Sequence, residues 1–396
     1  MSTLITNGRI IDGEGGSVDG HAVLIESARV TRVAPVGEFD GFDGRKVDLQ
    51  GGALLPGLID CHVHLCYGGE PNPGRTVEDL LPGQITVRAL NNALSSVAGG
   101  ITAVRDCGGV NYLEFAVRDA CNAGQFLGPT IRAAGRMICM TGGHGNRFGR
   151  VADGCDEVVK AVREQIHAGS DVIKIMATGG VMTPGVNPED AHYSAEEMAV
   201  GIAEGHRFHK SCASHAQGTE GILNAVRGGI DSIEHGIFMN EHCVQEMVER
   251  GTYLVPTCAA LANILVGADH VPQYVIDKTL RVAEAHRASI RMYYEAGGKI
   301  AMGTDAGTPF NHHGKNAEEL RYMVDNGITA MDAIVASTSN AADLMRLADQ
   351  GRIREGAAAD LLGVAADPLA DINQVADTAN HRFVIKSGQL AAGDWS

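Results

Sequence analysis

Eight short apolar runs, each followed by a stretch of helical periodicity, set the strongest constraint on how this chain can fold. The strand-like runs cover residues 54–65, 101–106, 130–135, 171–178, 212–216, 231–234, 252–256 and 299–305. The helical patterns between and after them cover 77–98, 112–123, 155–168, 195–208, 218–227, 241–249, 279–296 and 316–325. Eight strand–helix units in succession have the size and rhythm of a (β/α)8 TIM barrel. An open doubly wound sheet is the competing arrangement. It usually takes fewer units and a phosphate-binding glycine turn, and no GxGxxG motif opens a helix here.

The flanks have a different character. Residues 1–53 read as short alternating strands punctuated by Gly and Asp, without a long helical pattern. After a further helical pattern over 330–347, residues 351–396 return to β character, with strands over 360–364 and 383–386 and a Ser387-Gly388 turn. The economical arrangement pairs the two ends into one discontinuous β domain, 1–56 with 351–396, beside a barrel of 57–350.

Charge and cysteine content narrow the partners. The formal net charge is −16, from 48 acidic and 32 basic residues without a basic cluster, which argues against nucleic acid and anionic membrane surfaces. No apolar run approaches the roughly 18 residues of a spanning helix. The N-terminal stretch lacks a basic region followed by an apolar one, so no secretory signal is expected. Nine cysteines without a pairing framework read as reduced thiols of a cytoplasmic protein.

In a barrel of this kind the chemistry sits at the C-terminal ends of the strands. There the first run ends with His62 and His64, which alternation along a strand projects to one side. Alone, the pair fits a shared metal ion and an alternating half-buried strand with two incidental histidines equally well. The fourth run carries Lys174, the fifth ends with His215, the sixth with His235 and the eighth with Asp305. Each has a bland reading of its own: a satisfied buried histidine, a lysine reaching solvent, a helix-capping aspartate. Together, at the same ends of five strands, they form a metal-ligating set. Inside an apolar strand and facing a cation, a lysine ammonium meets desolvation and like-charge repulsion, which favour its neutral amine. That amine can add to CO2, releasing one proton and leaving a carbamate with oxygen donors. Carbamate, Asp305 and a bridging hydroxide would offset most of the charge of two divalent ions about 3.5–4 Å apart.

These residues also carry a resemblance. PGLIDCHVHL, VIKIMATGG, SHAQG, IEHG and GTDAG are similar to the metal-binding signatures of the amidohydrolase superfamily. TAVRDCGG, TGGHG at 141–145, SNAADLM and GRIREGAAADLL resemble its prolidase-like branch, the Xaa-Pro and Xaa-Arg dipeptidases related to imidazolonepropionase. The likeness runs from Asn7 to about Gly388. It implies a (β/α)8 barrel with a small β-sandwich built from both termini, in a homo-oligomer. It implies one Zn2+ held by His62, His64 and Asp305 and a second held by His215 and His235. N6-carboxylated Lys174 would bridge the two ions. It places His144 near the scissile carbonyl. Some members of the branch have a tyrosine where this chain has Gln217, so no tyrosine role carries over to that position.

The expected reaction is attack of a metal-bridged hydroxide on the amide carbonyl, with Asp305 as general base and His144 donating to the developing oxyanion. Asp106 and Glu234 would support the ligands rather than bind metal. The long loops over 137–154, 179–194, 257–278 and 307–315 should form the pocket. Arg147 and Arg150 are candidates to bind a substrate carboxylate, with surface solvation the plain alternative, and His192, Tyr193, His312 and His313 are candidates to line the site. The expected substrate is a dipeptide, an N-acyl amino acid or a related small amide. The alternatives are a carbamate or phenylurea xenobiotic, or the substrate of a mononuclear imidazolone- or purine-type aminohydrolase. Lys174 speaks against the mononuclear class, which generally lacks a bridging lysine, and the complete ligand set speaks against a non-enzymatic scaffold.

Overall fold

In a computed structural model, which describes residues 2–395, parallel strands alternate with helices through the middle of the chain, giving a mixed α/β fold. Leu58–Val63, Ile101–Asp106 and Thr130–Ala133 form one parallel sheet. Ile138–Cys139, Val172–Met176, Ser211–Ala216, Ser232–His235 and Tyr253–Val255 follow one another in a second. A bond from Asp171 N to Ala133 O, 2.9 Å, links the two. Nearly every residue of these strands is buried, because helices cover them and leave no face to water.

The helices form where capping and periodicity agree. Ala195–Arg207 opens on a capping box, with Ser194 accepting from Glu197 N and Glu197 returning to Ser194 N. It buries Met198 and Ile202 in the main core, on one face at a helical spacing of four.

Two further sheets hold the chain ends. Arg29–Pro35, His21–Glu26, Ser2–Thr6 and Arg45–Asp48 lie side by side in one. Gln389–Gly393, His381–Lys386, Leu361–Val364, Ala53–Pro56, Arg9–Ile11 and Ser17–Val18 make the other. One apolar cluster draws on both, with Val23, Ile25, Val30 and Val47 from the first and Leu54, Leu361, Phe383 and Ile385 from the second. Each such side chain contributes about 1.5–3 kcal/mol on burial. Where the Ser387-Gly388 turn crosses Ser27, Gly388 has φ 74° and a Cβ there would lie 1.8 Å from Ser27 O. Gly388→Ala should therefore cost about 1–3 kcal/mol of stability, read as a lowered midpoint in urea.

Several boundaries differ from expectation, each for a local reason. The run 54–65 is two strands rather than one. Ala53–Pro56 pairs antiparallel with Leu361–Val364, and after Gly57 the chain re-forms as Leu58–Val63 in the parallel sheet. The helix expected over 77–98 breaks at Pro82, which opens Pro82–Ala98 after the short Pro73–Glu78. The one over 330–347 divides into Ala330–Ala336 and Ser339–Leu344. At the division the Thr338 hydroxyl donates to Ile334 O and the Ser339 hydroxyl to Gly13 O, each at 2.6 Å. The loop expected over 257–278 contains the helix Cys258–Val266, and the helix after it begins early, at Gln273 behind Pro272. The run 299–305 forms no regular strand. Ala301 N donates to Leu254 O and Cys61 N to Met302 O, but left-handed backbone at Asp305, φ 61°, interrupts the ladder. No helix among the described residues is long and apolar enough to cross a membrane.

Candidate active site

Strand alternation does bring His62 and His64 to one side, with ring centroids 5.3 Å apart. The His62 Nε2 and His64 Nε2 atoms lie 3.4 and 3.1 Å from Asp305 Oδ1. His235 stands 5.2 Å from His62 and 4.6 Å from His215, ring to ring, and His144 stacks 4.4 Å from His215. Single atoms of His62, His235 and Asp305 lie within 4.8 Å of one another. Asp305 and His235 both hold left-handed backbone, at φ 61° and 72°, strain of the kind that gathers where geometry is imposed by function.

Each of the four rings in the cluster is anchored by one nitrogen, which leaves the other for a ligand. His62 Nδ1 donates to Glu234 at 2.7 Å and His64 Nδ1 to the Gly108 carbonyl at 2.8 Å. His215 Nε2 donates to Gly179 O at 2.9 Å. His235 Nδ1 donates to Thr257 Oγ1 at 2.6 Å, since that hydroxyl has already given its hydrogen to Pro256 O. The acceptors fix the tautomers and turn a lone pair of every ring inward. Lys174, 2% exposed, reaches the same cluster, and its Nζ has no hydrogen-bond partner. Five inward donors and a sealed, partnerless amine fit a divalent-metal centre, and they are a poor arrangement for anything apolar.

The protonation states of three rings agree with that chemistry, while at His64 burial is outweighed by the neighbouring Asp305 carboxylate, which raises the ring above its ordinary value. Burial, with Lys174 adding to it, holds His62 well below its ordinary value; burial likewise depresses His215, and takes His235 down to about 3. Neutral imidazoles are the metal-binding form. Burial pushes the Asp305 carboxyl up, but His62, His64 and His235 outweigh it and hold the group well below the usual carboxylate range.

A scaffold of buried charge sets these ligands in place. Arg105, 1% exposed, donates to Cys61 O at 2.6 Å, to Ser232 Oγ at 3.1 Å and to Glu234 at 2.7 Å, and Glu234 in turn holds His62. Asp60 accepts from His62 N, Thr304 N, Thr304 Oγ1 and Asn316 Nδ2, tying the segment that carries His62 to the one that carries Asp305. Asp106 accepts from Leu65 N and Gly108 N, fixing the carbonyl that orients His64. Asp60, Arg105, Thr304 and Asn316 escaped the reading of the sequence. A charged residue inside a largely apolar run, as Arg105 and Asp60 are, was the available signal.

The cluster opens into a cavity of about 560 Å³, walled by Met137, Phe148, Met182, Ile237, Leu261 and Ile264 besides the polar groups. His144 faces it, with Nδ1 held by Thr183 Oγ1 at 2.7 Å and burial lowering it to about 4. Of the six loop candidates, Arg147 lines the cavity, but its guanidinium is clasped by both oxygens of Glu78. The structure places the other five outside the cavity wall. Tyr193 is buried and donates to Ala152 O at 2.8 Å. His312 Nδ1 donates to Gly68 O at 3.0 Å, and His313 Nε2 to His64 O and Tyr67 O, each 3.2 Å. Arg150 pairs with Glu157 and Glu164, and His192 is also absent from the wall.

Comparison with known proteins gives a family and three similar proteins. The amidohydrolase family pattern matches residues 53–391. The chain is similar to ochratoxinase of Aspergillus niger, 29% identical over 99% of this chain and 87% of that protein. It also superimposes on a crystal structure of a Xaa-Pro dipeptidase with methionine in its active site, at TM-score 0.89 and 32% identity over 98% of this chain and 99% of the other. A prolidase complexed with N-methylphosphonate-L-proline superimposes equally well, at TM-score 0.89 and 30% identity over the same shares of the two chains.

Proposed function

Because this chain belongs to the amidohydrolase family, hydrolases of carbon–nitrogen bonds, we propose that it is a binuclear zinc-dependent enzyme cutting the C–N bond of a small amide. The observation that carries this reading is Lys174, a buried amine without a partner set among four anchored imidazoles and a carboxylate. In N6-carboxylated form it would join one ion shared with His62, His64 and Asp305 to another shared with His215 and His235. Two divalent ions held there supply Lewis acidity towards the carbonyl and make water ionisable near neutral pH.

The protein's own groups do the rest. Asp305 takes the proton of the attacking water and returns it to the departing amine. His144 donates from Nε2 to the carbonyl oxygen as charge gathers there, a tautomer set by Thr183 giving its hydroxyl hydrogen to Nδ1. Within the class of small amides, the cavity favours neutral substrates with an apolar substituent. Among its described lining residues only Arg147 and Lys174 are arginine or lysine, and Glu78 already neutralises Arg147. The carboxylate of a dipeptide or N-acyl amino acid would find no free side-chain cation.

The same reading divides the chain into a (β/α)8 barrel over 57–350 and a β-sandwich formed by 1–56 with 351–396. Supporting it, the segment 299–306 hydrogen-bonds to Leu254 on one side and to Cys61, His62 and His64 on the other, and both terminal sheets feed one apolar cluster.

Metal analysis tests the reading. Wild-type protein should hold about two zinc ions per chain, and Lys174→Ala should lose metal together with amide hydrolysis while keeping its circular dichroism. One ion in the wild type, with activity surviving in the variant, would sink the binuclear assignment.

A further inference from the structure

On the wall of the same cavity one polar side chain has no role in the reaction as described. Gln217 lies just beyond the strand Ser211–Ala216, two residues after His215, and is 5% exposed while lining the cavity. Its backbone is fixed on both sides: its N donates to Thr178 Oγ1 at 3.0 Å and its carbonyl accepts from Phe238 N at 2.8 Å. The backbone is therefore held at the cavity wall, which leaves the side-chain torsions as the freedom by which its amide can turn towards a bound substrate. Its Oε1 is sealed from solvent and has no hydrogen-bond partner. Of the buried polar side-chain atoms without a partner among the described residues, only this oxygen and Lys174 Nζ belong to residues that line the cavity. A buried amide oxygen without a donor is unfavourable, and such groups persist where something outside the chain supplies the hydrogen.

We propose that Gln217 is a specificity-determining residue whose side-chain carbonyl accepts a hydrogen bond from the substrate's amide N–H, so that the site selects secondary over tertiary amides. This rests on the amide-hydrolase reading of the same site. A secondary amide presents one N–H beside its carbonyl. A tertiary amide, including any bond to a proline nitrogen, presents carbon there, which leaves Oε1 unpaired and presses a methylene against it. Sites built around one hydrogen bond discriminate strongly against analogues that lack the donor.

The test compares N-acetyl-2-phenylethylamine with its N-methyl derivative, on the zinc-loaded wild type and on Gln217→Met and Gln217→Ala. Acetate release gives kcat/KM and calorimetric titration gives Kd, so preference is read with or without turnover. The wild type should favour the secondary amide by about tenfold or more, and the variants should lower that ratio to within about threefold of unity. A merely structural role would weaken both compounds alike and leave the ratio standing. A wild-type preference below about twofold in both readouts, failure of both amides to bind, or an undiminished ratio in the folded variants would overturn the assignment. Binding that prefers the secondary amide without acetate release would remove the hydrolase reading and leave Gln217 in its role. Hydrolysis without preference would do the reverse.

Discussion

Asp305→Asn should lower kcat by about 10³-fold or more while leaving the fold intact. The carboxylate touches both His62 and His64 and is the group placed to accept the proton of water. An amide of the same shape has no free base and ligates metal weakly, so both contributions are lost at once. Asparagine is also the replacement that best tolerates the left-handed backbone here, φ 61°, so the change isolates chemistry from folding. Steady-state kinetics on the neutral acetamide probe, with metal content and thermal melting measured in parallel, gives the answer. Activity within tenfold of wild type in a folded variant would take the base role away from Asp305.

Glu234→Ala has the largest expected effect on stability. It removes the only carboxylate that, among the described residues, is bonded to Arg105, whose guanidinium is 1% exposed, and frees the ring of His62. Breaking a buried pair by deleting one partner leaves an uncompensated charge in the interior and costs about 3–5 kcal/mol. In a chain of this size that should appear as a melting point lower by about 4–6 °C. The double variant Arg105→Met/Glu234→Leu removes both charges and should regain much of the loss, although His62 stays unanchored and activity does not return. A single variant melting within about 2 °C of wild type would mean that water or another group neutralises Arg105.

The sequence announced the inward residues of the site more clearly than the residues that hold them. His62, His64, His215, His235 and Asp305 end apolar runs and Lys174 lies within one, and a strand's period of two is short enough to place a side chain without knowing its neighbours. The anchors are set by contacts between distant segments. Glu234 reaches His62 across two strands of different sheets, and Asp60 reaches Asn316 from the far end of the chain. No local pattern encodes those meetings. The loop residues fared worst for the same reason. Arg147 looks free in sequence, yet the partner that occupies it, Glu78, sits on a helix of another loop. Helix boundaries went astray where a single residue, Pro82 or Thr338, outweighed the periodicity around it.

The strand Ala53–Pro56 is paired to Leu361–Val364, and the apolar face of the N-terminal sheet is closed by Phe383 and Ile385. During synthesis that arrangement imposes a wait. Val23, Ile25, Val30 and Val47 emerge from the ribosome early, but part of their cover is among the last residues made. The nascent chain therefore carries an uncovered apolar sheet face through nearly the whole of translation, a state prone to association and suited to chaperone capture. A message truncated ahead of Leu361 would strand it there. Such a product would retain all six inward residues of the site and still be expected to aggregate.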